Sequence, residues 1–194
     1  MVANPERRAS LADAGLQVLA SAGARGLTHR AIDGAADVPQ GTTANYFKTR
    51  DELLGALGER VFERLAPDVA RLAQLEDRPP GIDLSIAYIE YIVERTTSEP
   101  DVMRALFELR LEASRRPGLA SILHETLARN FRLDVEFNRQ AGLAGGPMEI
   151  ALLRYAVDGL LFELLTVPMD TGLEPATVVR ELVRRVLNGQ PTVP

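Results

Sequence analysis

The sequence predicts an all-α fold, with an N-terminal three-helix unit followed by a larger helical bundle. Ala, Leu, Arg and Glu, which all favour helices, dominate the 194 residues. Apolar residues recur at spacings of three and four, and there is no convincing run in which apolar and polar β-branched residues alternate. With 46% apolar and 25% charged residues, the composition is that of an ordinary globular protein.

Three helices are predicted in the first fifty residues, and glycine and proline separate them. The first begins at Pro5, a residue favoured in a first helical turn, and ends before a pair of glycines. The second begins after Thr28, a suitable N-cap, and the third covers roughly residues 39–47. A longer helix begins near Thr49, where Thr49 and Glu52 have the spacing of a capping box.

The rest of the chain is predicted to form a helical bundle. Pro67 should interrupt the helix that begins at Thr49, and residues 77–81 (Asp-Arg-Pro-Pro-Gly) form the clearest linker. We expect two domains, residues 1–48 and residues 49–194. The further helices are predicted at about 83–97, 101–115, 117–142, 147–166 and 174–188.

Charge is unevenly distributed along the chain, although the net charge is −5. Residues 1–50 carry six basic and four acidic side chains, whereas residues 51–194 carry 16 basic and 23 acidic ones. Only the first quarter of the chain therefore has the sign that a phosphate backbone attracts.

The second and third predicted helices have the length and spacing of a helix-turn-helix, which places its second helix in the major groove of DNA. The polar residues of that helix suit base edges, and they are Gln40, Thr42, Thr43 and Asn45. Phosphates are the expected partners of a second set, Thr28, Tyr46, Lys48 and Arg50, and Arg30 is a further candidate for the DNA-binding surface. Spacing and composition leave open the alternative that residues 28–50 only cap a bundle.

Residues 5–60 contain a spaced set of positions that extends over three consecutive predicted helices: Leu27-Thr28, Ile32, Ala36, Val38, Gly41-Thr42, Tyr46-Phe47 and Arg50-Asp51-Glu52-Leu53-Leu54. This set resembles the N-terminal signature of the tetracycline-repressor (TetR) family. The resemblance implies a bacterial, ligand-responsive transcriptional regulator of the repressor type that binds a palindromic operator in double-stranded DNA as a homodimer. It also implies that Gln40, Thr42, Thr43 and Asn45 lie on the recognition helix and that Phe47 lies in the core.

Four residues depart from the family pattern. Ala44 stands where many members have a tyrosine, and Pro39 stands where a capping serine is common, so another group must fix the start of the recognition helix. Asp37 occupies a turn position that is often glycine, and Asp33 is expected to bring a negative charge near the DNA-facing surface. These departures predict a particular operator sequence or a weaker intrinsic affinity.

The resemblance further implies that the C-terminal helices form a small-molecule pocket and a four-helix dimer interface. The predicted helix 147–166 is apolar over more than half of its circumference, so it must be buried on two sides, and helix 174–188 adds a second apolar stripe. The alternative is that both helices are buried within one monomer. The predicted interface residues are Ile150, Leu153, Val157, Leu161, Leu164, Val179, Leu182 and Val186.

Aromatic and flexible apolar side chains of the C-terminal part suit a largely apolar small-molecule effector. The candidate ligand-binding residues are Tyr88, Tyr91, Met103, Phe107, Arg110, Phe131 and Phe162. Each aromatic has the competing interpretation of a core residue, and Arg110 that of a partner in surface ion pairs.

Several classes of function lack support in the sequence. The absence of cysteine excludes disulfides and thiolate metal sites, and the only histidines, His29 and His124, form no metal-binding pattern. Catalytic and phosphate-binding motifs are not found, so we expect no cofactor, no metal and no enzymatic activity. We also expect no membrane partner and a cytoplasmic, nucleoid-associated location. Two alternatives stay open: a helical small-molecule-binding or scaffold protein with an inactive helix-turn-helix, and a helical enzyme whose catalytic cluster only the fold assembles.

Overall fold

The computed structural model describes residues 4–188, which form ten α-helices and no β-strand. The predicted all-α fold is therefore confirmed for this part of the chain. The helices are α1 (Pro5–Gly26), α2 (His29–Ala35), α3 (Thr42–Tyr46), α4 (Arg50–Arg64), α5 (Val69–Glu76), α6 (Ile82–Thr97), α7 (Pro100–Ala113), α8 (Pro117–Gln140), α9 (Pro147–Leu165) and α10 (Pro175–Asn188).

Proline and glycine set most of the helix boundaries. Five helices (α1, α7, α8, α9 and α10) begin at a proline, whose fixed φ suits a first turn and whose missing N–H is not needed there. Gly23 breaks α1 internally with a φ of 64°, as its sequence position predicts. Pro67 separates α4 from α5, a short helix that the sequence did not predict.

The chain packs as two compact units. The first unit comprises residues up to Ala66 together with Glu99–Thr126, so it contains α1 to α4, α7 and the beginning of α8. The second comprises Pro67–Ser98 and the chain from Leu127 onward, with α5, α6, the rest of α8, α9 and α10. The unit that holds the N-terminal helices extends beyond residue 48 because α4 and α7 pack on α1.

The core of the first unit lies between α1, α4 and α7. Leu11 and Leu19 of α1, Leu57 of α4 and Leu109 of α7 are all fully buried. Gly15 allows α1 and α4 to approach each other, because a Cβ at this position would lie 2.8 Å from a terminal methyl of Leu57. The close packing of α1 on α4 therefore depends on the absence of a side chain at Gly15.

An ion-pair network joins α1, α4 and Glu99, the N-cap residue of α7, at their surface. Arg60 Nε and Nη2 donate to the two carboxylate oxygens of Asp13 over 2.8 and 2.7 Å. Arg64 donates to Asp13 over 3.1 Å and to both oxygens of Glu99 over 2.7 and 2.8 Å. Burial raises the pKa of Asp13, but the hydrogen bonds from the two arginines outweigh it and hold this pKa below its usual value.

We expect Asp13→Asn to lower the free energy of unfolding by about 1–2 kcal/mol at neutral pH, because it removes a charge-assisted bidentate acceptor. A depressed folded-state pKa means that the carboxylate stabilises the fold above its unfolded pKa, near 3.8, and loses this effect as the pH falls through the folded value. The difference between wild type and variant should therefore shrink below about pH 4. Urea denaturation at pH 7 and pH 3.5, at one protein concentration, measures it.

The control for this prediction is Glu59→Gln, which removes an exposed carboxylate from the same helix as Arg60. It should change the free energy of unfolding by less than about 0.5 kcal/mol. An Asp13→Asn effect as small as that of the control would contradict a stabilising role for the network.

Candidate nucleic-acid interface

The first helix of the helix-turn-helix, α2, begins as the sequence predicts. Thr28 is its N-cap, and the Thr28 hydroxyl accepts a hydrogen bond from Ala31 N over 3.1 Å. Leu27 and Ile32 are fully buried on either side of this cap. The Thr28 side chain is exposed at the start of α2, although its hydroxyl already serves the cap.

The turn between α2 and α3 uses two residues with positive φ. Asp37 has a φ of 51°, as expected for a position that is glycine in much of the family, and Gly41 has a φ of 91°. Helix α3 then spans only Thr42–Tyr46, and is shorter than the predicted 39–47 because Pro39 and Gly41 remain in the turn. The Thr42 hydroxyl and N–H both donate to Pro39 O, over 2.5 and 3.1 Å.

Asp33 fixes the start of α3 and does not face the DNA side, which corrects the expectation from sequence. Its carboxylate is 1% exposed and accepts hydrogen bonds from Gly41 N (2.7 Å), Thr43 N (2.7 Å) and Thr43 Oγ1 (2.6 Å). Burial raises the pKa of Asp33, but these hydrogen bonds outweigh it, so the net pKa lies below the usual value. Asp33 is thus the group that replaces the capping serine absent at Pro39.

Thr43 was predicted to contact bases, and this prediction is wrong. Its side chain is fully buried and its hydroxyl donates to Asp33. Successive helical residues are rotated by about 100°, so Asn45 lies on nearly the opposite side of α3 from Thr43. Asn45 is accordingly exposed.

Several of the predicted DNA-contacting residues remain accessible. Gln40, Asn45 and Lys48 are exposed, and Thr42 and Tyr46 are partly buried. Arg30 is exposed on α2. The structure therefore leaves these predicted polar residues of the helix-turn-helix accessible, and their contact with DNA stays a prediction.

Phe47 anchors α3 from behind, in agreement with its expected core position. The ring is fully buried, and the Arg8 guanidinium carbon lies 4.9 Å from the ring centroid. Because Phe47 directly follows α3, its burial fixes the end of the short helix as Asp33 fixes its beginning.

Arg50 was predicted to contact phosphates, but its guanidinium serves the fold. Nη1 donates to Leu27 O over 2.8 Å, and Nη2 donates to Ala24 O over 2.5 Å. These bonds satisfy carbonyl groups at the end of α1 and tie the start of α4 to them. The predicted phosphate role of Arg50 is therefore corrected to a structural one.

The start of α4 has the predicted cap in a modified form. The Thr49 hydroxyl accepts from Glu52 N over 3.1 Å. Glu52 Oε2 accepts from Lys48 N over 2.8 Å, one residue before the N–H used in a standard capping box. This pair of bonds holds the backbone of Lys48 while its side chain stays exposed.

In the second unit, two of the predicted ligand-binding residues share an aromatic cluster. Tyr88 and Tyr91 are buried on α6, and the rings of Tyr88 and Phe137 meet edge to face with centroids 4.9 Å apart. The Tyr91 hydroxyl accepts from Asp68 N over 2.7 Å, and the Arg95 guanidinium lies 5.6 Å from the Tyr91 ring. Burial and the charge of Glu76 raise the pKa of the Tyr88 phenol.

The other predicted ligand-binding residues do not join this cluster. Met103, Phe107 and Arg110 lie on α7, in the first unit. In the second unit, Phe131 is partly buried on α8, whereas Phe162 is 50% exposed on α9. The ligand-binding role of this set stays a prediction.

The predicted dimer interface is partly wrong. Four of its residues are buried within the single chain, where α9 packs on α6 and α10, so they cannot face a partner: Leu153, Val157, Leu161 and Val179. The remaining four are partly buried: Ile150, Leu164, Leu182 and Val186. A different row of α9 is exposed, and it consists of Met148, Leu152, Tyr155, Gly159 and Phe162.

Over residues 4–188, no group of three or more histidine or acidic side chains is placed to hold a metal ion. None of the described helices combines the length and apolar character that a bilayer crossing requires.

Comparison with known proteins places the chain in a family. A model of the tetracyclin repressor-like C-terminal domain matches residues 80–189. A TetR-family structure from Streptomyces coelicolor A3 is 30% identical, with a TM-score of 0.69 over 94% of this chain and 99% of its own. The multidrug binding protein EbrR, complexed with ethidium, is 29% identical, with a TM-score of 0.67 over 93% of this chain and 98% of its own.

GusR of Salmonella enterica shares the fold with 18% identity, a TM-score of 0.67 and coverage of 96% of this chain and 98% of its own. No curated protein sequence matches the chain. The domain match covers more than half of the sequence, and the structural similarity extends over nearly all of it. The chain belongs to the TetR family of ligand-responsive, DNA-binding transcriptional regulators.

Proposed function

We propose that this chain is a repressor that binds a palindromic operator as a homodimer through the outer side of α3, and that a small aromatic effector in the second unit modulates this binding. The observation that carries the proposal is the outward polar side of α3, which is held from behind by the buried side chains of Thr43 and Phe47. The protein acts by binding and performs no catalysis. It works at the bacterial chromosome in the cytoplasm.

The residues that remain at least partly accessible divide into base-reading and phosphate-binding groups. Gln40 and Asn45 carry amides that can bond adenine in a bidentate manner, and the Thr42 methyl suits thymine. Lys48 and Tyr46 suit phosphates, as do the backbone N–H groups that follow Thr28 at the start of α2. Arg30 extends the same surface. Thr43 and Arg50 take no part in DNA contact.

The exposed row of α9 is the proposed dimer surface. Its members, Met148, Leu152, Tyr155, Gly159 and Phe162, follow spacings of four and three, which is the seam spacing of paired helices. Gly159 supports this assignment, because a Cβ there would meet no atom within 4 Å and a glycine inside a helix costs about 1 kcal/mol relative to alanine. Close approach of a partner helix would explain why a glycine is present at this position.

A two-fold dimer would present two α3 helices to successive major grooves about 34–36 Å apart. Operators for such a particle are palindromic because the protein is symmetric. The dimeric state of TetR-family regulators supports this part of the proposal.

The effector is proposed to be a flat aromatic molecule. EbrR, which is 27–29% identical to this chain, has been crystallised with ethidium, proflavin and malachite green. In this chain the cluster around Tyr88, Tyr91 and Phe137 offers aromatic faces and edges of the kind that stack with such molecules. Effector binding would weaken operator affinity about 5–150-fold, the range of a coupling free energy of 1–3 kcal/mol.

The test is selection of operator sequences from a random DNA library, followed by anisotropy titrations with the selected duplex. Asn45→Ala should change the preferred base at one position in each half-site and cost about 1–3 kcal/mol on the wild-type sequence. Lys48→Ala should weaken binding to all sequences and lower the salt slope by about one. Malachite green added to the wild-type complex should release DNA, with protein-free duplex and dye as the control.

Two results would contradict the proposal. Failure of the wild-type protein to enrich any sequence would favour the alternative of a small-molecule-binding protein with an inactive helix-turn-helix. A change of base preference on Lys48→Ala, without loss of affinity for random DNA, would show that the roles of the two residues are wrongly assigned.

A further inference from the structure

The start of the recognition helix depends on a residue of the preceding helix. Helix α3 has five residues, and its N-cap, Gly41, has no side chain to offer. A single helical turn is unfavourable by itself, because nucleation fixes several backbone dihedrals for one hydrogen bond. Its conformation and rotation must therefore be imposed from outside.

Asp33 supplies that constraint with three hydrogen bonds to two residues. Oδ2 accepts from Gly41 N over 2.7 Å, and Oδ1 accepts from Thr43 N and Thr43 Oγ1 over 2.7 and 2.6 Å. The bonds span eight and ten residues of sequence, so they connect α2 directly to the turn and to α3. Holding Thr43 inward turns Asn45 outward, because the two positions are about 200° apart around the helix.

We infer that Asp33 and Thr43 form a buried positioning pair that sets the rotation of α3, and thereby the base preference of the protein, without touching DNA. The inference rests on the proposed DNA-binding function and deepens it. Asp33 carries a negative charge close to the recognition helix. Its side chain is only 1% exposed and its carboxylate accepts three hydrogen bonds from the protein, so the charge faces the interior.

The chemistry of the pair requires a carboxylate. An ionised aspartate accepts hydrogen bonds at both oxygens, whereas asparagine replaces one oxygen by an NH₂ donor. In Asp33→Asn that donor faces either the Gly41 N–H or the two donors of Thr43. One end of the constraint is then lost, and α3 gains rotational freedom while the exposed cations stay unchanged.

The experiment compares Asp33→Asn with Asp37→Asn, which removes an exposed carboxylate of the same turn at a φ of 51° that asparagine tolerates. The readouts are the ratio of affinities for the selected operator and for random duplex, and the salt slope of each. For Asp33→Asn we expect the ratio to fall at least tenfold with an unchanged slope. For Asp37→Asn we expect an unchanged ratio.

A second measurement needs no DNA. Amide hydrogen exchange of the full-length protein should show protection at Gly41 N and Thr43 N in the wild type and faster exchange at both in Asp33→Asn. Thr43→Val, which keeps the volume but removes the hydroxyl, should lower the affinity ratio by a smaller factor. Thr43→Ser, which keeps the hydroxyl, should restore it.

Three results would overturn the inference. Tighter binding of Asp33→Asn to all sequences would show that the Asp33 charge acts by repelling DNA. An unchanged affinity ratio in Asp33→Asn, with the wild type still selective, would refute positioning while leaving the proposed function intact. Unprotected amides at Gly41 and Thr43 in the wild type would refute the hydrogen bonds themselves, independently of whether the protein selects any DNA.

Discussion

Phe47→Ala is expected to lower the free energy of unfolding by about 3–5 kcal/mol, the cost of truncating a fully buried phenylalanine. In the wild type the ring contributes buried apolar surface, the volume that keeps α3 in place, and the contact with the Arg8 guanidinium at 4.9 Å. Loss of the ring leaves a cavity directly behind the recognition helix. Urea denaturation followed by circular dichroism measures the change, at one protein concentration because a dimer's stability depends on concentration.

The matched control is Phe47→Leu, which keeps most of the apolar volume and should cost much less than the alanine variant. A cavity, and not the loss of aromatic character, is then the main cause of the alanine effect. A Phe47→Ala protein that unfolds within about 1 kcal/mol of the wild type would contradict the role of Phe47 as the anchor of α3.

Most helix boundaries could be predicted because they depend on local chemistry. Pro100, Pro117 and Pro147 begin helices in the structure within one residue of the predicted positions, and Thr28 and Thr49 act as N-caps. These residues act through their own backbone and near neighbours, so sequence is sufficient. Helix α5 was not predicted, because its eight residues are fewer than the window over which a helical period is recognised.

The inner and outer sides of α3 could not be predicted from sequence. The helix has five residues, which is too few for a hydrophobic period to define a face, and Thr43 resembles Thr42 in chemistry. What separates them is the carboxylate of Asp33, ten residues before Thr43 and on another helix. The structural role of Arg50 depends in the same way on carbonyl groups at Ala24 and Leu27, which only the fold brings near.

Helix α9 presents the opposite difficulty, because it is apolar on nearly every side. Its composition predicts two buried faces, of which the single chain buries one, and the period does not say which face packs inside the chain. Packing against α6 and α10 selects the row that contains Leu153, Val157 and Leu161. The row offset from it, which includes Leu152 and Tyr155, is left exposed and becomes the candidate for contact with a second copy.

Leu152→Glu is expected to convert the protein from a dimer to a monomer and to reduce affinity for a full palindromic operator by about 100-fold or more. Leu152 is 47% exposed and its neighbour in the row, Tyr155, is 71% exposed, so the single chain tolerates a charge there. In a two-fold interface the same row meets its own copy, and two carboxylates would be buried close together. Loss of the dimer removes the effective concentration that links the two half-site contacts, which supplies factors of 10²–10⁴.

Sedimentation velocity measures the oligomeric state, and anisotropy titrations compare a full operator with a single half-site. Affinity for the half-site should be unchanged, because Leu152 lies in the second unit and α3 in the first.

Val69→Glu is the matched control, since it places the same charge at an apolar residue of α5 that is 80% exposed and at a helix start, where an acid is favourable. It should leave a dimer with wild-type operator affinity. If Leu152→Glu also stays dimeric, the exposed row of α9 is not the interface. The candidates are then the four members of the predicted set that are only partly buried, namely Ile150, Leu164, Leu182 and Val186.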